Sequence, residues 1–81
     1  MPSENKKIKI TVEYDRPNWE MVYLSIRENV DEETGRTKMI IHKGENSFII
    51  YIEARDTVGV RAALGSIAKW IGVADVINRE I

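Results

Sequence analysis

Residues 56–77 read DTVGVRAALGSIAKWIGVADVI, and the apolar spacing predicts one long helix even though Gly65 and Gly72 fall inside it. Each interior glycine costs about 1 kcal/mol relative to alanine. At about 100° per residue, Val60, Ala63, Leu64, Ile67, Trp70, Ile71, Ala74, Ile77 and Ile81 fill one broad arc. The remainder is not a charged surface face: it holds Ala62, Gly65, Ala68, Gly72, Val73 and Val76, with Arg61, Lys69 and Arg79 interspersed. A helix apolar nearly all round is normally buried, and a chain of 81 residues is too small to bury it alone. Gly65, Ala68 and Gly72 form one ridge where a second backbone could approach closely, which would offset the glycine cost. The opposing reading ends the helix at Gly65 or Gly72, but the apolar period continues past both. Asp56 or Thr57 can cap the start, a side-chain oxygen accepting from an otherwise unpaired N–H.

Upstream of this helix, SFIIYIEA (47–54) reads as a strand, GEN (44–46) as a hairpin turn and TKMIIHK (37–43) as its partner strand. Phe48, Ile50, Ile52 and Ala54 suit a core face, while Ile49 and Tyr51 beside Glu53 lie on the other. The partner strand likewise splits Met39 and Ile41 from Ile40 and His42. Both faces of the hairpin are therefore partly apolar, where a sheet covered on one side needs only one. Ile40, Ile49 and Tyr51 are the expected self-association surface, and the chain is expected to be a dimer.

Further upstream, KKIKITVEY (6–14) alternates, with Ile8, Ile10, Val12 and Tyr14 to one side. This predicts a half-buried strand. Asp15 is a candidate cap and Pro17 suits the first turn of a helix over about 17–29. Trp19, Val22, Tyr23 and Ile26 form its core stripe; Met21 and Leu24 fall opposite, among Glu20, Ser25, Arg27 and Glu28. VDEETGR (30–36) reads as a polar loop turning at Gly35, and 1–6 as a loose extension. The order strand–helix–strand–strand–helix implies a single α+β domain, a three-stranded antiparallel sheet with both helices on one face. Its two-sided apolar character places the last strand at the centre.

Twelve basic and 13 acidic residues balance to a net charge of −1, which excludes the basic footprint of an autonomous nucleic-acid binder. With no cysteine, neither a disulfide frame nor a thiolate zinc site can form. No apolar run reaches the ~20 residues of a membrane span and MPSENKK lacks a signal-peptide core, so a soluble, cytoplasmic protein is expected.

Candidate chemistry is sparse. His42 is the single histidine; on a strand without companions it reads as an exposed residue rather than a metal ligand. Asp31, Glu32 and Glu33 read as a solvated turn, since paired catalytic carboxylates need a buried, asymmetric setting. Ser25 and Ser66 have no assignable base. No phosphate-binding glycine loop occurs, and no G-x-x-G tetrapeptide of the kind RNA-binding KH modules use. No catalytic residues, cofactor or metal are expected.

The segment IEARDTVGVRAALGSIAKWIGVADVI resembles the CTAG/Pcc family, small dimerising subunits of the KEOPS complex, at Ala54, Asp56, Thr57, Arg61, Ala62, Leu64, Ser66, Lys69, Trp70 and Ile71. PNWEMVYLSI (17–26) is similar to the family's first helix, with its V-Y pair at Val22 and Tyr23. Gly65 stands where the family commonly has asparagine and Ile67 where it has an aromatic residue. The resemblance implies a non-catalytic scaffold that dimerises, with itself or with a paralogous subunit. It would dock helices on a TsaD-type catalytic subunit and support threonylcarbamoyl modification of the adenosine beside the anticodon in tRNA. Met21, Leu24, Arg61, Gly65, Ala68 and Gly72 are the expected partner-binding residues. Arg61 would meet a partner carboxylate or tRNA phosphate, or else a local acid such as Glu20 or Glu28. Trp70 sits in the core arc, which favours packing over partner contact.

Overall fold

A computed structural model describes residues 7–30, 32–33 and 37–80, with side chains at 7–30 and 37–75. The elements follow in the order β1 (Ile8–Tyr14), α1 (Trp19–Val30), β2 (Glu32–Glu33), β3 (Thr37–Lys43), β4 (Phe48–Ala54) and α2 (Thr57–Glu80). The expected loose extension at 1–6, the Gly35 turn and Ile81 lie outside the described residues, as do the side chains of Val76, Ile77 and Arg79.

The sheet order is β1-β4-β3-β2 with every pair antiparallel. The strand apolar on both faces, β4, is central, as its pattern predicts. One element departs from the sequence reading. Glu32 and Glu33, expected in a polar loop, pair with Met39 and Lys38 as a short edge strand; two residues are too few to show alternation.

Both helices lie on one face. Val22, Ile26 and Val30 of α1 pack with Met39, Phe48, Ile50 and Ile52 of the sheet and Ala63, Ile67 and Ala74 of α2 in one core. Ile10, Val12, Tyr14, Trp19, Tyr23, Ile41, Trp70 and Ile71 are half-buried around it. Leu64, assigned to the core arc, is instead exposed. It lies on the flank of α2 away from α1, where the arc outruns the covering elements. Tyr14 stacks on Phe48 with ring centroids 5.2 Å apart, and Tyr23 tilts against the same ring at 6.1 Å.

The helix starts follow cap chemistry. Asp56 Oδ1 accepts from the Gly59 N–H at 2.8 Å and the Asp56 carbonyl accepts from Val60 at 3.1 Å, so Asp56 is the N-cap of α2. For α1 the expected cap is displaced. Pro17 lies in the preceding turn, closed by Trp19 N–H to the Arg16 carbonyl at 2.9 Å, Asp15 lies before that turn, and the Asn18 carbonyl accepts the first helical bond from Val22. At about 1.5 Å per residue, the 24 residues of α2 run about 36 Å. Its seven-residue strand neighbours span only about 23 Å, so the helix outreaches the sheet.

A polar pin fixes α2 across this arrangement. The Tyr14 hydroxyl lies 2.8 Å from Asn18 Oδ1 and 3.2 Å from Asp75 Oδ1, and Asn18 Nδ2 donates to the same Asp75 oxygen at 2.8 Å. Burial raises the Tyr14 phenol above its ordinary value, and the Asp75 carboxylate raises it further by charge and as hydrogen-bond acceptor, against a lowering by Asn18 and Arg16. The folded state thus holds this proton more tightly than the unfolded chain. Its contribution is complete below about pH 10 and is lost as pH rises through the folded-state value. Tyr14→Phe is expected to lower stability by about 1 kcal/mol at neutral pH. The difference between the two proteins should shrink above pH 10, as urea melts across pH 7–11 would report; a constant difference would contradict this role for the phenol.

Candidate interaction surfaces

Two exposed surfaces flank the core. The first is the outer face of the helical layer. Arg61, Gly65, Ala68 and Gly72 are all exposed and, at helical spacing, share one stripe of α2 opposite Ala63, Ile67 and Ala74. A Cβ added at Gly65 or Gly72 would meet nothing within 4 Å. The helix continues through both glycines, and nothing around them in the described structure requires glycine.

Met21 and Leu24 of α1 are 55% and 50% exposed. Between the two helices runs a groove of about 330 Å³ lined by Ser25, Ile26, Asn29, Lys69, Trp70, Val73 and Ala74. The Asn18–Asp75 bond ties the start of α1 to the later part of α2, and the two helices lie antiparallel. Lys69 and Val73 line the groove on the flank of α2 between the glycine stripe and α1, so both sets of expected residues belong to the helical layer, on different helices. Val73, as exposed as Met21, belongs to this surface. The sequence pattern had placed Val73 outside the core without singling it out, and its alignment with a groove only emerges once α1 is docked. Trp70 is half-buried against the core and also lines the groove. Arg61 has no ion pair among the described residues; Glu20, one of the local acids considered for it, lies 3.4 Å from Lys43 instead.

The second surface is the helix-free face of the sheet. Cross-strand register sets Thr11, Tyr51 and Ile40 in one row, flanked by a row of Lys9, Glu53 and Lys38 and a row of Glu13, Ile49 and His42. Tyr51 and Ile40 are 47% and 42% exposed, and Ile49 is half-buried. A depression of about 280 Å³ opens over Lys9, Thr11, Lys38, Ile40, Tyr51 and Glu53. Lys7 pairs with Glu53 at 3.3 Å, and Ser47 Oγ donates to Glu13 Oε2 at 3.0 Å. His42 is exposed here, apart from any acidic cluster. Among the described residues there is no buried polar or charged side chain and no group of three metal-ligating residues. No helix among them is long and apolar enough to cross a membrane.

In comparison with known proteins, the chain matches no protein-family model and no curated protein.

Proposed function

We propose that this chain is a non-catalytic dimerisation and docking subunit of the kind its CTAG/Pcc-like motif implies. It would bind a TsaD-type catalytic subunit of a KEOPS complex through its helical layer and so support threonylcarbamoyl modification of tRNA. The observation that carries the reading is the stripe of Arg61, Gly65, Ala68 and Gly72, exposed along α2 with open space at both glycine Cβ positions. Glycine in a helix interior is unfavourable, and close approach by a partner backbone would give it a use. Self-association would place Ile40, Ile49 and Tyr51 in or beside the contact, with tRNA held mainly by the assembled complex.

Co-expression with a TsaD-type subunit, followed by mass measurement of the purified species, tests the assignment. A stable complex containing two copies of this chain is expected. Failure to co-purify would contradict it. Gly65 and Ile67, which depart from the family's common asparagine and aromatic residue, leave open a variant of the reading, a paralogous subunit that forms a heterodimer; the masses would distinguish it. A free-standing KH-like RNA module would instead bind tRNA tightly by itself in gel shifts.

The isolated chain is expected neither to hydrolyse ATP nor to transfer threonylcarbamoyl, because no nucleophile, base and anion-binding loop occur together in its sequence. Turnover by highly purified protein, abolished by one point substitution, would overturn this.

A further inference from the structure

Tyr51 stands in the middle of the helix-free sheet face, 47% exposed on the central strand, with Thr11 of β1 and Ile40 of β3 opposite it in one row. These three side chains line the depression of about 280 Å³, and Lys9, Glu53 and Lys38 of the adjoining row close one side of it. We propose that this depression binds a single nucleotide unit, the base stacked on Tyr51 beside Ile40 and the phosphate held by Lys9 with the Thr11 hydroxyl.

Ring, charge and size select that ligand together. An exposed aromatic ring on an open sheet offers a π-face on which any base can stack, and Ile40 extends the apolar floor beside it. Glu53, the one acid in the lining, is already paired with Lys7 at 3.3 Å. Lys9 and Lys38 have no ion pair among the described residues. Glu33 follows Lys38 in the same register row, so Lys9, at the far end of that row, is the cation open to a phosphate. Lys9 and Thr11 are two residues apart on β1, which sets them on one face about 7 Å apart, and a lysine stem spans that distance. A single exposed ring with one open cation beside it suits one nucleotide. The chain's net charge of −1 supplies no basic track for a succession of phosphates. A free mononucleotide and one unpaired nucleotide of an RNA strand present the same base and phosphate. The site lies on the opposite side of the sheet from the helical layer, so it goes beyond the docking reading and stands or falls apart from it.

Titration of the full chain with AMP and with adenosine, followed by amide NMR, tests the site. Saturable shifts centred on Thr11, Ile40 and Tyr51 are expected, with AMP bound more tightly than adenosine. Tyr51→Ala should weaken AMP binding about fivefold or more, whereas Tyr51→Phe, which keeps the ring, should bind as wild type does. Circular dichroism of both variants should match wild type, since the side chain lies outside the core. Lys9→Gln should abolish the preference for AMP and leave adenosine binding unchanged. A short single-stranded oligoadenylate separates the two sources, and either result supports the site. Tighter binding per nucleotide than AMP identifies an RNA strand, and equal binding identifies the free nucleotide. Absence of saturable shifts with both AMP and adenosine would overturn the site, as would shifts confined to the helical layer or equal AMP affinity in Tyr51→Ala and wild type. Loss of self-association in Tyr51→Ala, with no nucleotide shifts in wild type, would overturn it in favour of a second copy covering this face.

Discussion

Phe48→Ala is expected to remove about 3–5 kcal/mol of stability, a large share of the total. Stability for a chain of this length is of the order of 4–12 kcal/mol. Phe48 is fully buried on the central strand, opposite Tyr14 of β1 and Lys43 of β3. Its ring is stacked by Tyr14 and met by Tyr23 of α1, so one side chain joins β1, β4 and α1. The core it anchors is small, and its largest fully buried side chains among the described residues belong to α1 or β4. Neighbours held by α1 and two paired strands cannot collapse far into the space a removed ring leaves. In urea the midpoint should fall with little change in slope, and Phe48→Leu should lose much less than alanine. A loss below about 1 kcal/mol for alanine would mean that the ring is not the anchor described here.

What the sequence made legible follows the range of its signals. Alternation identified β1, β3 and β4, and the apolar residues on both faces of 48–54 placed that strand at the centre. The helical period found Ala63, Ile67 and Ala74, and it carried α2 through Gly65 and Gly72. Leu64 escaped because a wheel gives the direction of a side chain and says nothing of whether another element stands there. Asn18 displaced Asp15 as the cap of α1 because Pro17 is accommodated in a turn before the helix. The Tyr14–Asn18–Asp75 pin joins residues 61 apart in sequence, and no local pattern encodes such a contact. The pairing of Glu32 and Glu33 with β3 was equally invisible, since it depends on where α1 ends. Of the candidate surfaces, the glycine stripe could be read directly from spacing. The groove holding Val73 required the docked helices.

The glycine stripe also gives the second large effect. Gly65→Leu and Gly72→Leu should leave the isolated protein folded, because the site of each added Cβ is empty to 4 Å. Helix propensity should raise stability by up to ~1 kcal/mol. Binding to the TsaD-type subunit should nevertheless weaken by about 1–3 kcal/mol, since added methylenes at a close-packed contact force side chains or backbone to move. Stability and affinity are thus expected to change in opposite directions, which general damage to the fold would not produce. Calorimetric titration of that subunit with wild type and Gly72→Leu, set beside thermal melts of both, tests the docking claim most directly. The account predicts a melting temperature equal to or above wild type together with affinity reduced about fivefold or more. Unchanged affinity with a raised melting temperature would contradict it, and would mean that these glycines face water.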